Sequence, residues 1–80
     1  MFKVYVLKSL KDEKRYIGST SNLERRISEH NSGKVKSTKN RRPLELIYFE
    51  KYDTKSEAEA REKFFKTGKG REFLNSRSIN

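Results

Sequence analysis

The apolar positions of the chain group into short runs set apart by polar breaks. Phe2 to Leu7 (FKVYVL) is β-branched and aromatic and predicts a strand. Lys11-Asp12-Glu13-Lys14 breaks the run and Arg15 to Ser19 resumes a strand, so the two predict a hairpin. Ser21 and Glu24 have capping-box spacing and mark a helix start at Ser21 or Asn22. Leu23 and Ile27 give that helix an apolar stripe until Asn31-Ser32-Gly33 ends it. Leu44 to Tyr52 (LELIYFEKY) predicts a third strand with apolar residues on both faces, as in an internal strand. Capping spacing recurs at Thr54/Glu57 and Ser56/Glu59, so a second helix is expected from near Ser56 to Thr67, stopped by Gly68. Gly70 to Ser76 predicts one more short helical turn. The expectation is a single α+β domain over residues 1–80, β-β-α-β-α with a short terminal helix and a three-stranded, mainly antiparallel sheet.

A hairpin loop of Leu10 to Glu13 sets the register: Ser9 opposite Lys14, Leu7 opposite Tyr16, Tyr5 opposite Gly18. Tyr5 and Tyr16 then become diagonal neighbours on one sheet face, and Gly18 leaves open space opposite the Tyr5 ring. On the first helix, Arg26 and His30 are four apart and share a face. On the second, Glu62 lies at the border of an apolar face, four residues before Lys66. These placements alone leave two readings open. The tyrosines fit a site or the packing of a half-buried sheet, the lone histidine a site or a surface or packing role. Glu62 fits a ligand or an exposed i,i+4 pair with Lys66.

Composition narrows the choice. Only 31% of the residues are apolar, so the core is expected to be thin. No cysteine is present to form a disulfide or a thiolate metal site. No apolar run approaches the ~20 residues of a membrane span, and no signal-peptide pattern follows Met1, so a soluble, cytoplasmic protein is expected. Twenty Lys and Arg against 11 Asp and Glu give a net charge of +9. That balance points to a polyanion, with nucleic acid the default partner and no membrane. Five of the cations, Lys34, Lys36, Lys39, Arg41 and Arg42, fall between Gly33 and Pro43 with no acid among them.

The ordered motifs resemble the GIY-YIG nuclease family, in particular its small stand-alone bacterial members, which are akin to the N-terminal nuclease domain of the nucleotide-excision-repair endonuclease. The first motif is degenerate, Lys3-Val4-Tyr5 in place of Gly-Ile-Tyr, with its tyrosine kept; the second is intact as Tyr16-Ile17-Gly18. Leu23-Glu24-Arg25-Arg26 with His30-Asn31-Ser32-Gly33-Lys34 matches the family's arginine helix and following loop. Thr38 and Pro43-Leu44 match the approach to the third strand, and Ala58-Glu59-Ala60-Arg61-Glu62 with Lys66-Thr67-Gly68 the segment carrying its glutamate.

The resemblance implies hydrolysis of a phosphodiester, most naturally in DNA during repair or recombination, with one divalent cation, Mg²⁺ or Mn²⁺, held by Glu62. It implies that Tyr5 helps deprotonate the attacking water and that Arg26 neutralises charge on the phosphoryl oxygens. Tyr16 is expected to orient water or phosphate, His30 to contact phosphate or assist proton transfer, and Gly18 to admit the phosphate closely. Asn75 matches an asparagine that some members carry. Lys34, Lys36, Thr38, Lys39, Arg41 and Arg42 are expected to track the nucleic-acid backbone, with a partner protein available for targeting. The alternative is a nucleic-acid-binding module of the same fold with little or no catalysis.

Overall fold

The computed structural model describes all residues 1–80. One three-stranded antiparallel sheet has the order β2-β1-β3, with β1 (Phe2–Ser9) paired to β2 (Arg15–Thr20) on one side and β3 (Leu44–Tyr52) on the other. The hairpin register is the expected one: Tyr5 faces Gly18, Leu7 faces Tyr16, and the Ser9 amide donates to the Lys14 carbonyl at 3.0 Å.

The internal strand is β1, which corrects the expectation for β3. Val4 to Leu7 are buried in succession because helices cover both faces of the sheet. The same covering explains why β3, at an edge, carries apolar side chains on both faces. Its pairing also slips between Val6 and Leu7, opposite Tyr48 and Leu46, which leaves Ile47 as a bulge residue.

Helix α1 (Leu23–Asn31) is capped by Asn22, whose side chain accepts from the Arg25 amide at 3.1 Å. It ends through Gly33 at φ +82°, a left-handed conformation that glycine adopts without a Cβ penalty. Helix α2 (Lys55–Phe65) starts with the Thr54/Glu57 capping box, one of the two boxes that the sequence offers. It stops before the expected Thr67 because the Thr67 hydroxyl instead caps a new helix, accepting from the Gly70 amide at 3.1 Å. Gly68 is therefore no terminator: it begins α3 (Gly68–Ser76), nine residues long where a short turn was expected.

Alternation along β1 sorts the core. Val4 and Val6 join Ile17, Ala58, Phe65, Leu74 and Ile79 beneath α2 and α3. Tyr5 and Leu7 join Leu23 and Leu44 beneath α1, with Tyr16, Ile27 and Leu46 packed around them. No helix is long and apolar enough to cross a membrane.

Candidate active site

Tyr5 reaches the α1 face from the middle strand, where its side chain is 1% exposed. Its ring lies over Gly18: a Cβ added there would come within 2.5 Å of the Tyr5 Cζ and closer still to its oxygen. The space that a glycine leaves in β2 is thus filled by the phenol, which corrects the expectation that Gly18 admits a phosphate. What Gly18 does is let the Tyr5 hydroxyl extend across the edge strand.

That hydroxyl lies 2.9 Å from His30 Nε2, while His30 Nδ1 lies 2.7 Å from Thr38 Oγ1. The imidazole is fully buried, with its ring edge-on to both Tyr5 (5.7 Å between centroids) and Tyr16 (5.1 Å). Both ring nitrogens are therefore occupied inside the protein, and direct contact between His30 and a phosphate is excluded in this conformation. The Arg26 guanidinium stands beside the Tyr5 oxygen and can only donate, so we assign the Tyr5 proton to His30 Nε2. Nδ1–H then donates to Thr38, whose own proton turns to the Val35 carbonyl at 3.5 Å.

Electrostatics agree with that assignment. Burial lowers the His30 pKa, and the Arg26 charge adds to the effect against a smaller opposing pull from Glu29, so the imidazole is held neutral. Burial raises the Tyr5 pKa above its ordinary value; Arg26 opposes this, and Tyr16 and Glu62 add smaller upward pushes.

Thr38 requires a second correction. It was expected along the nucleic-acid backbone, but it is fully buried and holds the imidazole. Of the loop cations, Arg41 is drawn inward: its Nε pairs with Asp12 at 2.9 Å and its Nη2 donates to the Lys14 carbonyl at 3.2 Å. Hydrogen bonds from Arg41 and from the Lys14 amide hold the Asp12 carboxyl at about 2. Arg41 therefore fastens the loop to the hairpin. Lys34, Lys36 and Lys39 remain exposed, and Arg42 Nε donates to the Lys39 carbonyl at 2.8 Å.

Arg26 sits half-exposed on α1, with Nη1 3.1 Å from Glu29 Oε1. Tyr16 accepts a hydrogen bond from Ser37 Oγ at 3.3 Å, on the exposed rim of the same cluster. Glu62 approaches from the other side of the sheet. Its Oε1 accepts from Ser19 Oγ at 2.7 Å, and its Oε2 pairs with Lys66 Nζ at 2.8 Å. Ser19 follows Gly18 and points to the opposite face, so Glu62 meets β2 from the face away from Tyr5, near enough for its charge to push the Tyr5 pKa slightly upward. Ser19 was not singled out beforehand, although strand alternation after Gly18 aims it at the second helix. Asn75 is exposed near the end of α3, where its carbonyl accepts from the Ser78 amide; no side-chain hydrogen bond ties it to this cluster.

No three His, Cys, Asp or Glu side chains come together as a metal cage. The donor set that fits a hard cation is the Glu62 carboxylate with the adjacent Ser19 hydroxyl. Such a ligand set suits an ion that keeps most of its waters, once Lys66 releases one oxygen.

The GIY-YIG catalytic domain family matches residues 1–75. A UPF0213 protein of Clostridium perfringens (strain 13 / Type A) is 50% identical over 64 residues, 79% of this chain and 68% of the relative. One from Staphylococcus haemolyticus is 51% identical over 65 residues, 80% of this chain and 78% of the relative. The solution NMR structure of a UPF0213 protein from Bacillus halodurans superposes with a TM-score of 0.56 at 36% identity, covering 95% of this chain and 84% of that one. The chain belongs to the GIY-YIG catalytic domain family, among its small UPF0213 members.

Proposed function

We propose that this protein is a divalent-metal-dependent endonuclease that hydrolyses phosphodiesters in DNA. The observation that carries the reading is the Tyr5 hydroxyl, fixed 2.9 Å from a neutral, buried imidazole and flanked by a guanidinium. A phenol ordinarily loses its proton near pH ~10, and burial makes this one harder to ionise. Its use as a base therefore needs a proton acceptor and a compensating positive charge. His30 Nε2 supplies the first and Arg26 the second.

In this reading the attacking water gives its proton to the Tyr5 oxygen as the phenol proton passes to His30, and Thr38 keeps the imidazole in the accepting tautomer. Arg26 forks onto the non-bridging phosphoryl oxygens as negative charge builds there. Tyr16, at the exposed rim, orients the phosphate. Glu62 would hold Mg²⁺ or Mn²⁺, with Ser19 setting the carboxylate's rotamer. A cation bound there contributes Lewis-acid polarisation of the phosphate and a lower pKa for coordinated water. Lys34, Lys36, Lys39 and Arg42 remain in place to follow the backbone, and a partner protein would supply targeting.

The test is nicking of supercoiled, branched and damaged DNA in Mg²⁺ or Mn²⁺ by the protein and by Tyr5→Phe and Glu62→Gln. Activity in the parent and its loss in both variants is the expected result. Nicking that persists in both would overturn the reading.

One observation favours a second reading, a binding module with little catalysis: both Glu62 oxygens are already engaged, one by a lysine. Salt-sensitive DNA binding with no cleavage of any of those substrates, in the parent and in Lys66→Ala alike, would decide for it.

A further inference from the structure

Helix α1 covers only part of the sheet face that carries Tyr5. Strand pairing arranges that face in rows across β3, β1 and β2: Leu46–Leu7–Tyr16, then Phe49–Tyr5–Gly18, then Lys51–Lys3–Thr20. Leu23 and Ile27 of α1 pack over the first row and over Tyr5. Phe49, in the same row as Tyr5, lies beyond them and is 41% exposed. The other exposed large apolar side chains are Met1, at the terminus, and Leu10, in the hairpin turn. Phe49 is the one aromatic side chain within the strands that is exposed rather than buried or part-buried.

Its surroundings identify what such a ring would meet. Lys3 Nζ stands 5.6 Å from the ring centroid, Lys51 is exposed in the next row, and Arg26 lies across Tyr5. A protein-docking patch would continue onto apolar neighbours, whereas here the continuation is lysine, on a chain of net charge +9. A flat π-face bordered by ammonium groups complements a base with phosphates on either side of it. In a duplex the base faces are already stacked on one another, so only an unpaired base has a face to offer.

We propose that Phe49 is a stacking platform for an unpaired nucleobase, with Lys3 and Lys51 holding the adjoining phosphates. The inference rests on the nuclease reading for its substrate class and narrows it: the preferred substrate presents a single-stranded or unstacked nucleotide next to the phosphate offered to Tyr5. Binding by π-face carries no sequence code, so the preference is for strand state rather than for sequence.

The test is metal-free fluorescence anisotropy with labelled single-stranded DNA, single-stranded RNA and duplex DNA, using the parent, Phe49→Ala, Phe49→Leu and Phe49→Trp. Phe49→Leu keeps an apolar side chain on the strand and removes the π-face; circular dichroism checks that each variant is folded. Both Phe49→Ala and Phe49→Leu should weaken binding of a single strand by about tenfold and leave duplex binding unchanged. The chain has no tryptophan, so the single indole of Phe49→Trp reports directly, and single strands should quench it while preserving tight binding. The DNA and RNA arms show which sugar the site accepts. Parent-like single-strand binding by Phe49→Leu, or an indole unquenched at saturation, overturns the platform. If the parent still binds and nicks DNA, the nuclease reading stands without it; a parent that neither binds nor nicks any nucleic acid overturns both.

Discussion

The two faces of the sheet are built from alternate residues of the same strand, yet they hold different chemistry. Beneath α2 and α3, Val4 and Val6 meet five other buried apolar residues, and the aromatic rings of Phe64, Phe65 and Phe73 close around the Arg61 guanidinium at 4.7 to 4.8 Å. Arg61 also forks onto Glu50, with Nε–Oε1 at 2.8 Å, which joins α2 to β3. Beneath α1, only four apolar residues are buried, and among them run a phenol, an imidazole and a threonine hydroxyl in one hydrogen-bonded line. In so small a domain, the first face supplies cohesion, and the second spends buried volume on polar groups that must all be satisfied. They are: no buried side-chain polar atom lacks a partner.

The comparison breaks most readily at Phe65. Phe65→Ala should cost about 3–5 kcal/mol, because a fully buried ring leaves a cavity that α2, α3 and β3 cannot all close. A domain of this size holds roughly 3–5 kcal/mol in total. Urea denaturation should therefore find the variant largely unfolded at 25 °C. A loss below ~1 kcal/mol would show that the apolar face does not carry the fold.

Tyr5→Phe asks the opposite question of the other face. The ring stays over Gly18 and only the hydroxyl goes, so the stability cost is that of leaving His30 Nε2 unpaired, about 1–3 kcal/mol and below that of Phe65→Ala. The nicking rate should fall by about 10²–10⁴-fold, the range for a lost acid–base group. Equal losses of stability and activity would make Tyr5 a packing residue, the reading the hairpin alone left open.

Gly18→Ala sharpens the comparison at the boundary between the faces. Its Cβ would displace the Tyr5 ring, and overpacking of this kind costs about 1–3 kcal/mol. The ring has to leave His30, so activity should drop along with stability, whereas the neighbouring Ser19→Ala removes only the hydrogen bond to Glu62. A Gly18→Ala protein with parental stability and rate would mean that the phenol does not need its place over β2.

Much of this was legible in the chain because local rules sufficed. A four-residue turn and strict alternation set Tyr5 opposite Gly18 and diagonal to Tyr16 before any fold was known. What escaped depended on tertiary covering. The apolar residues of β3 resemble those of a central strand because a helix shields each face, and periodicity does not distinguish shielding by helices from flanking by strands. Thr67-Gly68-Lys69-Gly70 looks like a stop, yet the threonine uses those glycines to start α3. Thr38 lies in a loop with no period, so nothing in its neighbours reveals that its hydroxyl meets a histidine eight residues earlier.

The smallest expected effect tests the buried imidazole itself. With its folded pKa below the ordinary 6.5, His30 stays neutral in the native protein at a pH where the unfolded chain has already bound a proton. Its contribution to stability is therefore complete above about pH 6.5 and is lost as pH falls from there towards the folded value, with a slope of at most ~1.4 kcal/mol per pH unit. The lowered carboxyls of Asp12 and Glu50 act in the same direction at lower pH, so the window from pH 6.5 to 5 belongs mainly to the one histidine. Urea midpoints across that window should fall in the parent and stay nearly flat in His30→Gln, and NMR titration of the imidazole should give a midpoint below 6.5. A midpoint at or above 6.5 would mean that burial does not disfavour the charged ring, and one above 7 that the ring is mostly charged at neutral pH and unable to accept the Tyr5 proton, so that the polar face would lose the feature that separates it from the apolar one.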